Sequence, residues 1–489
     1  MWDQDLSGRG RARPVLTDAP WKMSMMNQTP MDADLLISGV EIITMNAARE
    51  VFRDGALAIA GDRLVAVGQR EVVERQVHAK ARRDGRGFVA TPGFIDGHIH
   101  ITGDPLTRGF VRRTPEDSWN DNLSKWVIPL FRAQTAQDER ISAQLAALSM
   151  IRHGTTAFLE AGTVIHLDAV MEGLAETGIR GRVGQWVEGR SYDPAGDAVA
   201  LANHAIGLLQ AEVEAYPDGG QALLAAWPVL VGHSTNADAV WIAARALADQ
   251  HGLKVSAHMS PRQSDPDWFL ARYGRRPLEH LAAIGALGPN VCLTHLAAID
   301  GAELEILVES GAAAIHCPHA AFLGGFGLAR QGLHPEMIAR GVPFMLGTDG
   351  VATDILSSAR LMAAAYRDAR EDQDLLPATT LLELATTGAA AAMGWQGWTG
   401  ALVPGHKADI VLHDTRTPEW GPVFDSVGQL ALNASPAGVH SVWIDGRQVL
   451  EAGRHLLLDA EKIVADAAQA GRAVVARTGL PNRTPWPVL

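Results

Sequence analysis

Two histidines one residue apart, His98 and His100, end a hydrophobic segment early in the chain. In an extended strand, side chains two apart point to the same side, so both imidazoles can face one ion at the end of that strand. The pair therefore predicts a metal site. The alternative is an ordinary polar rim, because the chain contains 18 histidines.

Three more residues of ligand type, His258, His295 and Asp349, stand where later apolar segments end. Barrels of parallel strands carry their chemistry at the carboxyl ends of the strands. Two histidines from the first strand, a third from the fifth and a carboxylate from the eighth suit a divalent ion, zinc first, with iron or manganese as alternatives. Such an ion lowers the pKa of its water to about 7, which supplies hydroxide near neutral pH, and Asp349 can take the proton released on attack.

Composition excludes several classes of protein. The chain has 489 residues, 47% of them hydrophobic, and its formal charge of −13 argues against nucleic acid as a partner. No apolar stretch reaches transmembrane length and the N-terminus lacks the order of a secretory signal, so a cytoplasmic protein without a membrane partner is predicted. Cys292 and Cys317 lie in apolar strand-like segments and are interpreted as buried, reduced residues.

Short Gly-punctuated strands mark both ends of the chain, and apolar strands alternate with Ala/Leu-rich helices between them. The predicted domains are an N-terminal arm (1–33), a first β-sandwich part (34–91), a (β/α)8 TIM-type barrel of the α/β class (92–395), a second sandwich part (396–455) and a C-terminal helix and arm (456–489). A doubly wound open sheet would show the same alternation. The two arms predict a homo-oligomer, a dimer or higher.

The eight candidate barrel strands are predicted to end at His100, Glu160, Glu188, about Val231, His258, His295, His316 and Asp349. Amphipathic helices are predicted at 238–251 and 301–309, between these strands. Strand ends of this kind would bring the ligand-type residues to one face.

The motifs around these residues resemble the amidohydrolase superfamily, and within it the branch of triazine hydrolases, adenosine-derivative deaminases and guanine or cytosine deaminases. The resemblance spans about residues 34–455 and rests on five segments in the family order: 92–100 (PGFIDGHIH), 255–258 (VSAH), 293–295 (LTH), 347–350 (GTDG) and 405–412 (GHKADIVL). It implies a barrel inserted into a composite β-sandwich formed by both chain ends, and one divalent metal.

Residue by residue, the resemblance implies metal ligation by four residues: His98, His100, His258 and Asp349. It places His295 where the family has a histidine that faces the substrate and polarises the group under attack, so Asp349 and His295 are the expected catalytic residues. Binuclear relatives bridge two ions with a carboxylated lysine after the fourth strand. No lysine occurs between Lys125 and Lys254, which favours a single ion.

Two departures from the branch bear on the reaction. Its deaminases carry a glutamate three residues after the strand-five histidine, which shuttles a proton onto the ring, and that residue is Pro261 here. After strand seven, the Ser-Asn pair of the branch is replaced by Ala320 and Ala321, beside His319. Both changes weaken ring deamination and leave attack on an sp² carbon intact. We therefore expect hydrolysis of an amide, urea or carbamate-type C–N bond.

The alternatives are an aminohydrolase or dechlorinating hydrolase of a nitrogen heterocycle, and a non-catalytic metal-binding barrel. A deaminase would need a replacement acid, for which the candidates are Asp265, Asp267, Glu279 and His319. Of these, Glu279 begins a predicted helix and is interpreted as a capping residue. The substrate is expected to be a small aromatic or hydrophobic molecule. Its candidate contacts are His295, His233, His319, Trp126 and Phe322.

Overall fold

The computed structural model describes residues 30–110, 122–189, 197–232 and 236–482. One candidate substrate contact, His233, lies outside the described residues. Within the described residues, the strands form one nine-stranded mixed sheet and two parallel sheets of five and four strands. No described helix combines the length and the hydropathy needed to cross a membrane.

The strands, in chain order, are β1 (Met31–Ile43), β2 (Val51–Ala60), β3 (Arg63–Gln69), β4 (Val77–Asp84), β5 (Phe88–Pro92), β6 (Phe94–Ile99), β7 (Thr155–Glu160), β8 (Arg180–Val183), β9 (Leu224–Ala226), β10 (Val229–Leu230), β11 (Val255–Met259), β12 (Val291–His295), β13 (Ala313–His316), β14 (Phe344–Leu346), β15 (Ile410–Asp414), β16 (Val439–Ile444), β17 (Arg447–Glu451) and β18 (Arg454–His455). The helices are Arg70–Gln76, Asp104–Thr107, Leu123–Val127, Ile128–Arg132, Ala136–Arg152, Leu167–Thr177, Ala198–Ala215, Asp238–His251, Ser264–Tyr273, Pro277–Ala283, Gly301–Ser310, Pro318–Gly324, Leu328–Gln331, His334–Ala339, Ile355–Arg370, Ala378–Ala385, Thr387–Ala392, Ser426–Leu432, Pro436–Gly438 and Ala460–Thr478.

The nine-stranded sheet joins the two ends of the chain. β5 pairs in parallel with β1 and antiparallel with β15, so early and late strands share one hydrogen-bonded ladder. Side chains from both ends, among them Ile37, Leu57, Ile410 and Trp443, are buried in one hydrophobic cluster. The prediction that the two β-rich ends pair with each other is confirmed.

The parallel sheets carry the residues of interest. β6 to β9 form one sheet and β10 to β14 the other, each in chain order. Every residue of β6, β7 and β12 is buried, as expected for parallel strands covered on both faces, and this explains their continuous apolar character. Because the strands run in one direction, their carboxyl ends lie along a common edge.

The predicted helices agree closely with the observed ones. The segment predicted at 238–251 forms the helix Asp238–His251, and the one predicted at 301–309 extends by a residue to Gly301–Ser310. Asp300 starts the second helix, since its carboxylate accepts hydrogen bonds from the backbone of Ala302 and Glu303 at 3.0 Å. Local capping chemistry is therefore sufficient to locate this boundary.

The predicted strand end at Glu188 is wrong, because β8 already ends at Val183. A Cβ on the next residue, Gly184, would lie 2.5 Å from the side chain of Val229, so the backbone is pressed against the neighbouring strand. Val187 is fully buried beyond the strand end. The apolar pattern up to Glu188 thus reflects burial of a loop, which sequence periodicity alone does not separate from a strand.

Two arginines of β8, Arg180 and Arg182, are fully buried. Arg182 forms a bidentate pair with Asp218, at 2.9 and 2.8 Å. Arg180 pairs with Asp409 at 3.4 Å and also with Asp445, two residues that flank strands of the nine-stranded sheet. We call these five residues the arginine cluster. The ion pairs of Arg180 join a parallel sheet to the nine-stranded sheet.

Candidate metal centre

The end of β6 is fixed by a buried carboxylate, Asp96. Its Oδ1 accepts hydrogen bonds from the backbone N–H of His98 at 3.2 Å and of Thr348 at 3.1 Å, and its Oδ2 accepts one from Thr348 Oγ1 at 2.5 Å. The N–H groups of Thr348 and Asp349 in turn donate to His98 O at 3.0 and 2.9 Å. These bonds hold the segment after β14 beside the first histidine. Sequence reasoning missed Asp96, although it continues the alternation of His98 and His100.

Three imidazoles, those of His98, His100 and His258, converge at this edge. One ring nitrogen from each lies within 4.8 Å of the others, and the ring centroids of His98 and His258 are 4.5 Å apart. Thr294 Oγ1 lies 3.1 Å from His98 Nδ1, which orients that ring and reserves Nε2 for another partner. The structure therefore brings together the three histidines that their positions at strand ends predict to meet.

Asp349 lies between two of the imidazoles. Its Oδ1 is 3.3 Å from His100 Nε2 and its Oδ2 is 3.9 Å from His295 Nε2. The backbone φ of Asp349 is 59°, in the left-handed region, and the N–H of Gly350 donates to Oδ1 at 2.7 Å. A non-glycine residue in this conformation carries strain that the surrounding structure must compensate. Here the result is a carboxylate aimed at the histidines.

Burial sets the charge state of these side chains. Burial, helped by a neighbouring histidine, lowers the pKa of His258 to about 3 and that of His295 to about 4, and it also lowers the pKa of His98. For His100, burial acts in the same direction, but the hydrogen bond and charge of Asp349 outweigh it and raise the pKa to about 9. Burial acts to raise the pKa of Asp349, yet His100 holds it well below its ordinary value. The neutral imidazoles and the ionised carboxylate have lone pairs available for a cation.

The donor atoms fit a metal ion. Four buried ring nitrogens of this histidine group have no hydrogen-bond partner among the described residues: His98 Nε2, His100 Nδ1, His258 Nδ1 and His295 Nδ1. A buried polar atom left unpaired costs about 1–3 kcal/mol. Several unpaired nitrogens within one group of converging histidines indicate a ligand from outside the chain. Nitrogen and carboxylate oxygen donors in this number suit zinc or another first-row divalent ion.

His295 ends β12 with an uncommon backbone conformation, since its φ is 83°. Its carbonyl oxygen lies 2.6 Å from His334 Nε2, and the Tyr366 hydroxyl lies 2.6 Å from His334 Nδ1. A carbonyl can only accept, so His334 donates from Nε2 and accepts from the tyrosine at Nδ1. Both of these side chains are fully buried. Sequence reasoning missed the pair because no motif marks it.

Two phenylalanines that sequence reasoning also missed border the cluster. The ring of Phe131 lies 6.2 Å from that of His100 and 6.1 Å from that of Trp186. The ring of Phe326 stands edge to face against His295 at 5.5 Å. Phe326 follows two glycines, a signal of a turn that could redirect the chain toward the site. The histidines therefore lie between aromatic walls.

The other predicted substrate contacts are placed as follows. Trp126 is buried in the short helix Leu123–Val127, which precedes the helix that carries Phe131. Phe322 is 41% exposed. The Nδ1 and Nε2 of His319 lie 3.2 and 3.4 Å from the hydroxyls of Ser358 and Ser357, so that ring faces a neighbouring helix. Substrate contact by any of the three stays a prediction.

The acids considered as replacements for the glutamate of the deaminases differ in their surroundings. Glu279 accepts a hydrogen bond from the backbone of Arg276 at 2.9 Å, as its predicted capping role requires. Asp267 is exposed. Asp265 is buried, and burial raises its pKa to about 7 against the hydrogen bonds from neighbouring serines. Asp265 is therefore poised to hold a proton near neutral pH.

The amidohydrolase family model matches residues 89–449, which include every strand from β6 to β16 and all the residues of the candidate centre. The chain belongs to the amidohydrolase family. The prediction of a metal-dependent hydrolase is therefore confirmed, and an enzyme is supported over a non-catalytic metal-binding protein.

Two curated relatives of this amidohydrolase carry the name 5-methylthioadenosine/S-adenosylhomocysteine deaminase. The protein from Syntrophobacter fumaroxidans is 29% identical over 448 residues, which cover 90% of this chain and 98% of the relative. The protein from Pelotomaculum thermopropionicum is 30% identical over 449 residues, which cover 91% of this chain and 100% of the relative. The whole length of these proteins is thus represented here.

Solved structures show the same fold. An adenosine deaminase from Xanthomonas campestris with bound zinc superposes with a TM-score of 0.81 at 24% identity, over 92% of this amidohydrolase and 100% of that chain. The atrazine chlorohydrolase TrzN from Arthrobacter aurescens, complexed with zinc, gives 0.79 at 23% identity, over 89% and 100%. At these identities the likeness supports the architecture and leaves the reaction to the site.

Proposed function

We propose that this amidohydrolase cleaves an amide, urea or carbamate-type C–N bond in a small aromatic or hydrophobic substrate. It would use one divalent ion, with zinc as the first choice. The observation that carries the bond type is Pro261, which occupies the position of the deaminase glutamate. The guanidinium of the next residue, Arg262, lies 4.9 Å from the ring of Phe326. Neither proline nor guanidinium can shuttle a proton to a ring nitrogen.

The proposed ligands of the ion are His98, His100, His258 and Asp349. Support comes from the convergence of one nitrogen from each of the three histidines, from the 3.3 Å between Asp349 Oδ1 and His100 Nε2, and from the buried ring nitrogens that lack a partner among the described residues. A bound divalent ion lowers the pKa of water to about 7 and polarises a carbonyl oxygen. Zinc is placed first because histidine and carboxylate donors suit it.

Asp349 and His295 would carry out the proton transfer and the polarisation. His100 holds the pKa of Asp349 well below its ordinary value, so the carboxylate is ionised and can accept a proton from the attacking water and pass it to the leaving amine. Burial keeps His295 neutral, with a pKa of about 4, so one ring nitrogen can donate to the substrate oxygen. The 3.9 Å between Asp349 Oδ2 and His295 Nε2 supports a shared role of both groups at one substrate.

The substrate class follows from the walls of the site. Phe131 and Phe326 lie against His100 and His295, and aromatic rings favour an aromatic or hydrophobic group next to the scissile bond. The further contacts proposed from the sequence are Trp126, Phe322, His319 and His233.

A second candidate is the deamination of an adenosine-type nucleoside. It is favoured by the names of the two curated relatives and by Asp265, a buried carboxyl with its pKa raised to about 7, four residues beyond Pro261. In this candidate, the neutral acid would donate the proton that the missing glutamate supplies elsewhere. The two candidates share the ion and differ in the group that leaves.

The experiment is a product analysis of the full chain loaded with zinc. One set of substrates contains aryl amides, ureas and carbamates, and the other contains 5′-methylthioadenosine and adenosine. We expect release of an amine from the first set, with Asp265→Asn equal to the wild type. Ammonia from the nucleosides, lost in Asp265→Asn, would replace the first candidate by the second. The variant Pro261→Glu, which adds the absent acid, should increase any nucleoside deamination.

We also infer that the two parallel sheets are halves of one (β/α)8 barrel. Only Trp227 and Pro228 separate β9 from β10, and the hydrogen bonds from Thr348 and Asp349 to His98 O link the segment after the last strand to the first. The division into β-sandwich parts and barrel at the predicted boundaries is likewise a proposal. The homo-oligomer stays a prediction, which light scattering of the full chain would test.

A further inference from the structure

The C-terminal helix, Ala460–Thr478, packs against the segment that follows β6. That segment contains the short helix Asp104–Thr107, which we call the wedge helix, and the helix Ile128–Arg132. Side chains of all three helices share one buried apolar cluster, which includes Leu106, Leu130, Ala467, Ala470 and Val474. The last three recur at the spacing of a single helix face. A helix remote in the sequence thus lies against the segment that leaves the strand of His98.

Two glycines bring the wedge helix into close contact with its neighbours. A Cβ on Gly471, in the C-terminal helix, would overlap the carbonyl oxygen of Leu106, and a Cβ on Gly350 would overlap Asp104 Oδ2. Any larger residue at either place would displace its neighbour, because the interior is close-packed. Gly350 directly follows Asp349. The wedge helix is therefore in contact with both the C-terminal helix and the segment that carries Asp349.

The residue before the wedge helix supports the aromatic wall of the site. A Cβ on Gly103 would overlap the ring of Phe131, so that ring rests on the backbone at Gly103. The same ring lies 6.2 Å from that of His100. The position of Phe131 beside the candidate metal centre thus depends on where the wedge helix begins.

The C-terminal helix also holds the helix that carries Phe131. Arg477 Nε donates to the carbonyl oxygen of Ala133 at 2.7 Å, and the guanidinium pairs with Asp138. Ala133 is the residue at which the helix Ile128–Arg132 ends. A charged donor on a backbone carbonyl is a strong restraint on that helix end.

We infer that the C-terminal helix positions the substrate wall of the active site, through Gly471 against the wedge helix and Arg477 against the helix of Phe131. The inference rests on the proposed function, because the wall affects the reaction only if it contacts the substrate. Both residues act through Phe131, so they are positioning residues. The alternative is a helix that contributes only to the stability of the whole fold.

The first test is amide hydrogen exchange of the full chain, measured by mass spectrometry. Arg477→Met removes the bond to Ala133, and we expect exchange about tenfold faster in residues 101–110 and 122–133, as local opening there becomes easier. The rest of the chain should exchange as in the wild type. Arg472→Met is the matched control, since Arg472 is an exposed residue of the same helix, and it should change neither segment.

A glycine pair gives an independent variant and control. Gly471→Ala places a methyl group against the Leu106 carbonyl, and we expect faster exchange in residues 101–110. Gly207 is also in a helix, and a Cβ there would meet nothing within 4 Å. Gly207→Ala should therefore leave exchange in that segment unchanged.

Steady-state kinetics link the contact to the site. With an aromatic substrate identified by the product analysis, Arg477→Met should raise KM by about two- to tenfold, the range of one aromatic contact. Its kcat and zinc content should stay near the wild type, because His295 and Asp349 follow other strands, β12 and β14. A helix that served stability alone would reduce the amount of active enzyme and leave KM unchanged.

Each outcome decides the inference. Exchange in the two segments equal to that of the controls would overturn it, as would faster exchange spread evenly over the chain or an unchanged KM in Arg477→Met. If nucleosides prove to be the substrates, KM for the nucleoside is used and the same criteria apply. A wild type that turns over neither set of substrates would overturn the proposed function, and exchange would still decide whether the C-terminal helix holds the segment after β6.

Discussion

The molecule buries two polar clusters in its parallel sheets, the arginine cluster on β8 and the histidines near the carboxyl ends of β6, β11 and β12. In the arginine cluster, each arginine has an aspartate within ion-pair distance. At the carboxyl ends, the histidines keep ring nitrogens that have no partner among the described residues. Arg180 and Arg182 are fully buried, and His98 and His295 are buried as well. The difference lies in charge pairing: the chain supplies counter-ions for both arginines, although Arg180 Nε has no hydrogen-bond partner among the described residues, whereas it leaves a ring nitrogen of each histidine open.

The two clusters have different physical consequences. Arg182 and Asp218 compensate each other, and the indole N–H of Trp227 also donates to Asp218 at 2.8 Å, so removal of either partner would leave the other buried charge without its counter-ion. The open nitrogens of the histidines cost stability in the absence of a partner. A cluster kept unsatisfied in this way is better explained by a ligand than by folding. The predictions below test that contrast.

The largest effect is expected from His98→Asn, which keeps an atom near Thr294 and removes Nε2. Because His98 is one of the proposed ligands, bound zinc should fall below one equivalent and kcat/KM should drop by more than about a hundredfold. Metal analysis measures the bound zinc, and steady-state kinetics with the substrate identified by the product analysis measure kcat/KM. The metal-free variant should unfold at no lower a temperature than the metal-free wild type. A clear loss of stability in the metal-free variant would contradict the interpretation that His98 serves a ligand rather than the fold.

The reverse outcome is expected in the arginine cluster. Arg182→Met leaves Asp218 buried without its cation, and breaking a buried pair costs about 3–5 kcal/mol of unfolding free energy. Urea or thermal unfolding measures this loss. Zinc content at saturating metal should stay at the wild-type level, and Arg182→Met combined with Asp218→Leu should recover most of the stability. A variant as stable as the wild type would show that the pair is dispensable.

A third comparison uses a buried histidine away from the metal centre. His413 Nε2 lies 3.1 Å from Thr91 Oγ1, and burial lowers the pKa of His413 to about 3. The unfolded residue titrates near about 6.5. Between these values only the unfolded chain binds the proton, so the free energy of unfolding falls as the pH drops below about 6.5, by about 1.4 kcal/mol per pH unit.

The variant His413→Gln should lose that share of the pH dependence. Unfolding of the metal-free protein at about pH 7 and about pH 5 measures it, and zinc binding should not change. Identical pH dependence in the variant and the wild type would show that His413 is not held neutral in the fold.

The smallest effect is expected from Tyr366→Phe, which removes the hydroxyl that donates to His334. With less restraint on His334, the backbone of His295 is held less firmly, and we expect a fall in kcat of about tenfold or less, the equivalent of one hydrogen bond. KM and zinc content should stay near wild type. His334→Gln, which retains a donor for the His295 carbonyl, should keep more activity than His334→Ala. Equal activity of the two would argue against a positioning role.

Much of the fold is readable from local patterns. The helix Asp238–His251 has an amphipathic period and ends at Gly252, whose φ is 66°, so both the pattern and the stop signal are in the sequence. The strand end at Glu188 was mispredicted because Val187 is buried from a loop. Phe326 was missed in favour of Phe322 because the helix Pro318–Gly324, which carries Phe322, ends in glycines. The direction of the chain after that helix depends on packing.

The sequence by itself determined which residue types stand at the strand ends, including His98, His100, His258, His295 and Asp349. That information is local, since the alternation of side chains along a strand has a period of two. Only the tertiary structure decided what meets them: Asp96 and the segment after β14, and the pair behind His295. These contacts join residues far apart in the chain, and such distances are set by strand pairing and core packing, which no local pattern encodes.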